Sequence, residues 1–472
     1  MTMDTYYLQE IYQSRADFLD PQKWQLYVGR ISPDSNSLAY TQGFARRDFY
    51  YSLGLLSFLS SLFNNHQFTD GGWLADPTMG CQNYLVGAMN ADRLIINDVD
   101  DNNTPIVRFR TMVFDSTANA NVSLSPTGRH QTQQIASLRL EASQSYGNGV
   151  YVIEALQVPH GCPTWPSFWL LGFPDPQPWR WQGEGFQGRW PTFGEIDILE
   201  QAGVTGTDTS QTPPQERMFN ATTLHTTANC TVDIGSEPNA PYTVSPKGTN
   251  CNAGGGDDGC QGRLTDPNPE NNTDFSTGTY VAEVFIPPDG STGGYVRTWF
   301  FPLSSSQAQV IRKTTALGSP LNLQNLGPAH VKHTLSNCPG THFQNLRMVL
   351  NTAFCGQWAG RLQCTDSANT GFQGNATVYT QCQAAMLAKW DTDSANIIMN
   401  PDHEFLGPYE WQIYSIRYYT PTPLGFWNQL FGFLQSYWIY ILLAVAFFLI
   451  IGVVLWRRWF MSVKSATSTM PA

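Results

Sequence analysis

The sequence predicts an all-β fold, a sandwich of two antiparallel sheets. From about residue 76 to residue 420, short runs alternate apolar and polar residues, and clusters of Gly, Pro, Asn and Asp separate the runs. No long run in this interval has the apolar period of a helix. Only 13% of the residues are charged, and the 40 Gly and 30 Pro suit strands joined by turns better than helices.

Seven runs are the clearest candidate strands: 106–112, 137–141, 150–158, 280–286, 295–301, 346–352 and 410–419. Between residues 229 and 275 the chain is rich in Gly, Asn, Asp and Pro and contains three cysteines. We therefore expect a surface loop held by disulfides in that interval.

Cysteine spacing and glycosylation motifs both indicate a secretory compartment. The nine cysteines include no CxxC pair of the zinc-site type, so disulfides explain them better than a metal does. One of the nine must stay unpaired or pair elsewhere. Asn-x-Ser/Thr motifs agree with this compartment and occur at Asn102, Asn121, Asn220, Asn229, Asn271 and Asn375.

Charge and aromatic content restrict the class of ligand. The net charge of −11 and the lack of a basic cluster in the body of the chain exclude a nucleic-acid partner, because phosphate binding needs a basic surface. The 15 Trp and 20 Tyr favour a carbohydrate, since sugar faces stack on aromatic rings.

An uncharged run at residues 437–456 (YWIYILLAVAFFLIIGVVLW) predicts a transmembrane helix. Arg457 and Arg458 follow it, which predicts a cytosolic C-terminus and an extracellular or lumenal body at the cell surface or a secretory-pathway membrane. A cleaved lipid-anchor signal is the alternative, although such signals end in their apolar tail and this chain continues with polar residues.

The sequence divides into five parts: an N-terminal segment 1–73, a β-rich domain 74–420, a linker 421–436, the span 437–456 and a cytosolic tail 457–472. The first residues lack the basic and then apolar pattern of a signal peptide. Residues 49–63 are apolar and follow two arginines, which leaves open either an internal signal or a buried segment.

Three acids at residues 194–200 (GEIDILE) form the candidate catalytic motif. In a strand Glu195 and Asp197 share one face, and a β-bulge of one extra residue brings Glu200 to that face as well. A retaining glycosidase uses two carboxyls about 5–5.5 Å apart. A third carboxylate beside them raises the pKa of the acid by charge repulsion. The alternative is the solvent face of an amphipathic strand, where three acids would repel one another.

Several motifs around the acids resemble one enzyme family. These motifs are 137–141 (SLRLE), 162–172 (CPTWPSFWLLG), 190–193 (WPTF), 223–227 (TLHTT), 354–360 (FCGQWAG) and the closing run 411–419. Together they resemble glycoside hydrolase family 16, in particular its fungal laminarinase-like endo-1,3(4)-β-glucanases with a bulged Glu-x-Asp-x-x-Glu signature. The resemblance covers about residues 74–420.

The resemblance implies a concanavalin A-like β-jelly-roll whose concave sheet binds β-glucan. It implies that Glu195 is the nucleophile, Asp197 its helper and Glu200 the acid/base. We expect a monomer without a required cofactor, and the sequence leaves the oligomeric state open. A structural Ca²⁺ occurs in parts of the family and has no signature in this sequence.

Four further residues are candidate substrate contacts by the same resemblance: Trp165, Trp190, His225 and Trp358. For each tryptophan plain packing is the alternative, and for the histidine a hydrogen-bonded core position. Trp169 is expected in the core.

The chain departs from the family pattern near its start. More than fifty residues separate the opening around Tyr7 and Asp20 from the segment at 76–80 (DPTMG), which resembling sequences join almost directly. Residues 21–73 are therefore either an insertion or an irregularity of the gene model.

Two other functions compete with hydrolysis. A cell-wall transglycosylase uses the same chemistry, but such enzymes of this family typically carry a shorter signature without the bulge. A non-catalytic glucan-binding protein generally lacks one of the acids, and Glu195 and Glu200 are both present. The choice between β-1,3 and mixed β-1,3-1,4 linkages is open.

Overall fold

The computed structural model describes residues 4–20, 22–31, 73–75, 83–86, 94–115, 133–160, 164–173, 190–202, 207–208, 215–216, 219–253, 259–268, 273–354, 359, 409–423 and 453. The strands in chain order are β1 (Thr5–Tyr12), β2 (Trp24–Ile31), β3 (Trp73–Ala75), β4 (Asn83–Val86), β5 (Ile95–Val99), β6 (Pro105–Phe109), β7 (Met112–Asp115), β8 (Gln133–Ala142), β9 (Gly149–Gln157), β10 (Thr164–Leu171), β11 (Glu195–Glu200), β12 (Thr207–Asp208), β13 (Gln215–Glu216), β14 (Asn220–His225), β15 (Thr231–Gly235), β16 (Thr243–Lys247), β17 (Cys260–Thr265), β18 (Gly278–Phe285), β19 (Gly294–Phe301), β20 (Pro320–Asn322), β21 (Val331–Asn337), β22 (Arg347–Phe354) and β23 (Trp411–Thr420). The helices are α1 (Arg15–Leu19) and α2 (Ser306–Arg312), with 3-10 turns at Leu323–Leu326 and Gly340–His342.

Most of these strands form two antiparallel sheets. The sheet that we call the front sheet has the order β16-β17-β14-β11-β10-β22-β8-β2-β4-β3, with β7 beside β8. The back sheet has the order β15-β21-β19-β18-β9-β23-β1-β20, and β6 and β5 extend from β23. A separate ribbon joins β12 and β13. The candidate acids lie on β11, near the middle of the front sheet.

One apolar core joins the inner faces of the two sheets. Its front-sheet members include Leu138, Leu140, Phe168, Leu170, Ile196 and Leu224, and its back-sheet members include Tyr151, Ile153, Tyr280, Ala282, Val296 and Ile416, all buried. Alternate residues of each strand thus face inward, which is the pattern that burying one face of each sheet requires. The prediction of an all-β jelly-roll sandwich is confirmed.

A second apolar cluster covers the outer face of the back sheet. Ala308 and Ile311 of α2 pack there against Val152, Val281 and Trp299. The side chain of Ser305 caps the N-terminus of this helix by accepting from the amide of Ala308. The outer face of the back sheet is therefore covered, and the candidate acids lie on the front sheet.

Two of the strand and loop predictions need correction. The run 106–112 is not one strand, because β6 pairs with β23 in the back sheet while β7 pairs with β8 in the front sheet. The interval 229–275 is not a loop, because it contains β15, β16 and β17. These strands are short and separated by Gly- and Asn-rich turns, so their composition resembles a loop.

Two disulfides support the interval 229–275. Cys230 bonds to Cys338, which ties the start of β15 to the end of β21, and Cys251 bonds to Cys260 at the start of β17. The prediction of disulfides is confirmed for these four cysteines.

The described N-terminal residues belong to the sandwich. Strand β1 lies between β23 and β20, and Tyr7 is opposite Thr420. Strand β2 pairs with β8 along its whole length. Both sheets therefore include strands that precede residue 74, where the sequence predicts that the β-rich domain begins.

Within the part of the chain that the structure describes, no helix has the length and apolar character needed to cross a bilayer. The expected span at 437–456 lies outside the described residues except for Val453, and so do residues 32–72, the linker after residue 423 and the tail.

Candidate active site

A β-bulge in β11 brings the three acids to one face of the front sheet. Phe168 and Trp169 are adjacent on β10, but their partners on β11 are Leu199 and Asp197, so Ile198 is an extra residue. The register with β14 shifts over the same interval. The bulge predicted from the five-residue spacing of the two glutamates is confirmed.

The bulge separates apolar from acidic side chains. Ile198 and Leu199 are consecutive, yet both lie in the core between the sheets. Glu195, Asp197 and Glu200 share the opposite face, which is the outer face of the front sheet. We call this surface the cleft face. A regular strand continued from Asp197 would have turned Leu199 outward and Glu200 into the core.

Asn220 satisfies the backbone that the bulge leaves unpaired. Its Oδ1 accepts from the amide of Glu200 at 3.3 Å, and its Nδ2 donates to the carbonyl of Ile198 at 3.2 Å. The side chain is 3% exposed. Asn220 was expected only as a glycosylation motif, whereas in the fold it holds the bulge, because buried backbone groups need a partner.

Trp190 and a tight turn position Glu195. Nε1 of Trp190 donates to Oε2 of Glu195 at 2.9 Å. Gly194 has a φ of +80°, and a Cβ there would lie 2.4 Å from the carbonyl oxygen of His342. Glycine is therefore required directly before Glu195.

Two donors contact the carboxylate of Glu200, one to each oxygen. Nε1 of Trp165 donates to Oε1 at 2.7 Å, and the hydroxyl of Thr223 donates to Oε2 at 3.5 Å. Trp165 comes from β10 and Thr223 from β14, so the two neighbouring strands hold Glu200 between them.

His225 connects the other two acids. Its Nε2 lies 3.1 Å from Oδ2 of Asp197 and 3.9 Å from Oε1 of Glu195. The backbone of Gly259 lies against the imidazole, because a Cβ at this position would be 2.6 Å from Nδ1 of His225. The histidine thus has a fixed place in the acid cluster.

Burial and repulsion keep protons in the cluster. Burial and the charge of Asp197 raise the pKa of Glu195 to about 8, and the same two causes raise the pKa of Glu200 to about 8. Burial raises the pKa of Asp197 to about 8. The positive form of His225 and the indole N–H donors oppose these shifts. Such a cluster can hold one carboxyl as an acid while another is ionised.

One protein-family model matches most of the chain. The model for XgeA-like catalytic domains of glycoside hydrolase family 16 matches residues 73–397. The chain belongs to glycoside hydrolase family 16. The resemblance found in the sequence is confirmed.

Curated family 16 relatives share a modest identity with this chain. The endo-1,3(4)-β-glucanase XgeA of Emericella nidulans is 31% identical over 231 residues, which cover 48% of this chain and 29% of the relative. A probable endo-1,3(4)-β-glucanase of Aspergillus fumigatus is 25% identical over 355 residues, 72% of this chain and 43% of the relative. The chain spans less than half the length of these relatives.

Solved family 16 structures also match over most of the chain. Laminarinase 16A of Phanerochaete chrysosporium, with 6-O-glucosyl-laminaritriose in its donor and acceptor sites, is 22% identical, with a TM-score of 0.49, over 88% of this chain and 99% of its own. An elongating family 16 β-1,3-glucosyltransferase is 18% identical, with a TM-score of 0.49, over 88% and 100%.

Most of the expected site residues come together in this family 16 cleft. The three acids, His225, Trp165 and Trp190 form one cluster, and the rings of Trp190 and His225 lie 5.7 Å apart. Their roles in the reaction stay predictions. Trp358 lies outside the described residues.

Trp169 is buried, as expected, in an apolar cluster with Leu171 and Val349 that lies on the outer side of the front sheet and not between the sheets. It is buried on the cleft face, where its Nε1 donates to Oδ1 of Asn351 at 2.7 Å and the guanidinium of Arg139 lies 4.8 Å from its ring. Its position on β10, one residue after the inward Phe168, decides this face.

The sequence analysis missed Thr223 and Asn220 as parts of the site. Thr223 begins the motif 223–227 and lies two residues before His225. This spacing on a strand places both side chains on one face. Asn220 had no such signal.

Three possible metal-ligand atoms lie within 4.8 Å of one another, one each from Glu195, Asp197 and His225. A cation could also fit this spacing. We assign no metal to them, because Nε2 of His225 already pairs with Asp197.

Proposed function

We propose that the chain is a retaining endo-hydrolase of β-1,3 or mixed β-1,3-1,4 glucans, with Glu195 as nucleophile and Glu200 as acid/base. The bulge in β11 carries this proposal, because it brings two glutamates and an aspartate together on the outer face of the front sheet. Membership of family 16 and the names of the curated endo-1,3(4)-β-glucanase relatives support the reaction and the substrate class.

In the first step Glu195 attacks the anomeric carbon and Glu200 protonates the leaving oxygen. The indole N–H of Trp190 holds one oxygen of Glu195 and stabilises its ionised form. The raised pKa of Glu200 supplies the proton at neutral pH. The glycosidic bond breaks as the bond from Glu195 to the sugar forms.

In the second step Glu200, now ionised, takes a proton from water, and the water oxygen attacks the anomeric carbon. Trp165 and Thr223 donate to the two oxygens of Glu200, which stabilises the carboxylate formed in the first step. The bond from the sugar to Glu195 breaks as the bond from the water oxygen forms, and the positive form of His225 stabilises the negative charge that returns to Glu195. The net configuration is retained.

The aromatic rings of the cleft support a glucan substrate. Trp190 is 37% exposed although its N–H is bound to Glu195, so its ring is open to a sugar. A sugar stacked on that ring lies next to the nucleophile.

The test uses the full chain purified in detergent. We expect reducing-sugar release from laminarin or barley β-glucan, and a loss of at least about 100-fold in Glu195→Gln and in Glu200→Gln. Asp101→Asn, an exposed acid in the turn after β5, is the control and should keep full activity. Transfer to a labelled laminari-oligosaccharide without release would favour the transglycosylase, and binding without either reaction would favour a glucan-binding protein.

We also propose that residues 437–456 anchor the protein in a membrane with the cleft outside the cytosol. The uncharged run, the arginines after it and the two disulfides support this topology. Asn102 and Asn229 are exposed and are the glycosylation sites that we propose among the described residues, whereas Asn220 is buried. Alkaline extraction of membranes should leave the full chain in the pellet and release a chain ending at residue 423.

A further inference from the structure

A chain of polar side chains leads away from Glu200 across the cleft face. Nε2 of Gln261 donates to Oγ1 of Thr223 at 3.2 Å, and the same hydroxyl donates to Oε2 of Glu200 at 3.5 Å. Nε of Arg263 donates to Oε1 of Gln261. These residues lie on β14 and β17, two adjacent strands of the front sheet.

The register of the sheet makes this chain of contacts possible. Gln261 is directly opposite Thr223, and Thr223 is directly opposite Asp197. Gln261 and Arg263 are two residues apart on β17, so both point to the cleft face. The guanidinium of Arg263 lies over the ring of Phe219 at 4.8 Å, which limits its motion.

The chain of donors has one direction only. Arginine has no acceptor, so its contact with Gln261 must use the amide oxygen and turns the amide NH₂ toward Thr223. The NH₂ group donates, so Thr223 accepts through a lone pair and its single hydrogen is available for Glu200. Without Gln261 the hydroxyl could turn and accept from any donor nearby.

We propose that Gln261 and Arg263 are positioning residues that fix the Thr223 hydroxyl as a donor to the acid/base Glu200 and so control when Glu200 releases its proton. This inference rests on the proposed function. It adds two residues that do not touch the reacting atoms.

Several charged groups share the cleft face with Glu200 and remain unchanged in Thr223→Val and Gln261→Met, whereas Arg263→Met also removes a positive charge. Among the described residues these are Glu195 and Asp197 on β11, His225 on β14, Arg263 on β17, Lys247 on β16 and Arg347 on β22, with the Arg139–Glu141 pair on β8. The other strand beside Glu200, β10, contributes Trp165, which does not titrate in this range. Replacing Thr223 removes a hydroxyl and no charge.

The sign of the expected effect follows from the donor role. A hydrogen bond to the ionised carboxylate favours ionisation, so removing it raises the pKa of Glu200. We expect Thr223→Val to move the titration of Glu200 up by about half a unit to one unit. Thr223→Ser keeps the hydroxyl and should restore the original position.

The two positioning residues are tested by coupling. Gln261→Met should move the titration in the same direction as Thr223→Val, and it should add nothing in the double variant, since it acts through the hydroxyl. Arg263→Met should behave like Gln261→Met. Thr334→Val, on the back sheet strand β21, is the matched control and should change nothing.

Two readouts separate this inference from the proposed function. The first is the basic limb of kcat/KM on laminarin, and the second is a carbon-13 NMR titration of the glutamate carboxyls, with the Glu200 signal assigned by its loss in Glu200→Gln. If the wild type hydrolyses no glucan, the proposed function fails and the NMR titration still tests the positioning. An unmoved Glu200 titration in Thr223→Val, or equal shifts from Gln261→Met with and without Thr223, would overturn the inference.

Discussion

Nε2 of His225 lies 3.1 Å from Oδ2 of Asp197 on the neighbouring strand. The same nitrogen is 3.9 Å from Oε1 of Glu195, so a single imidazole faces two carboxyls that repel each other. A positive charge on His225 favours the ionised form of Glu195, and its effect is larger than that of the hydrogen bond from Trp190.

We expect His225→Gln to move the acidic limb of kcat/KM to higher pH by about half a unit or more. The nucleophile must be ionised, and removing an opposing positive charge raises the pKa of Glu195. The measurement is kcat/KM on laminarin between pH 3 and pH 8. An acidic limb that stays in place would show that the imidazole acts by contact with sugar alone.

We expect Asp197→Asn to stabilise the fold at pH 8 more than at pH 4. Burial raises the pKa of Asp197 to about 8, so the folded state binds its proton more tightly than the unfolded state does. Stability is then full below the unfolded value near 4 and is lost as the pH rises toward 8. Thermal unfolding should give a midpoint at least about 2 °C higher than wild type at pH 8.

The control for that experiment is Asp101→Asn, which removes an exposed carboxyl. It should give the same midpoint as wild type at both values of pH. Equal stabilisation by Asp197→Asn at pH 4 and pH 8 would mean that shape, and not charge, sets the effect.

We expect Asn220→Ala to destabilise the protein by about 1–3 kcal/mol and to reduce activity strongly. The variant removes the side-chain acceptor for the amide of Glu200 and leaves the carbonyl of Ile198 with only the 3.5 Å contact from the hydroxyl of Thr222. Urea unfolding measures the first effect and laminarin hydrolysis the second. Asn102→Ala, at an exposed turn, should match the wild type in both.

Glycan mapping tests the same residue independently. Peptides that contain Asn220 should carry no N-glycan in the folded protein, because the side chain is buried and its amide is engaged. A glycan at Asn220 in active protein would contradict the role that we give to this side chain.

We expect EDTA to leave hydrolysis unchanged. A cation between Glu195, Asp197 and His225 would have to displace the contact between the imidazole and Asp197 and would occupy the nucleophile. The assay compares rates before and after chelation and dialysis. A loss of activity that a divalent metal restores would replace the carboxylate mechanism with a metal-assisted one.

The sequence predicted those features that depend on spacing within one strand. Glu200 lies five positions after Glu195, and this odd spacing predicts the bulge because one extra residue turns both acids to one face. Alternation likewise predicts most of the core-facing strands.

The features it did not predict depend on a partner from another strand. Asn220 reads as a glycosylation motif until β14 is known to lie beside β11. The interval with β15 to β17 reads as a loop because its strands gain their stability from pairing and from two disulfides rather than from apolar runs. The change of sheet between β6 and β7 has no local signal.

The position of β1 between β23 and β20 constrains how the protein is made. At about 5–20 residues per second, the ribosome needs on the order of 20–80 s after β1 before it completes β23. During this time β1 lacks its long partner, and its unpaired backbone can join the strands of other nascent chains. The back sheet can therefore be completed only after the last strand has been made.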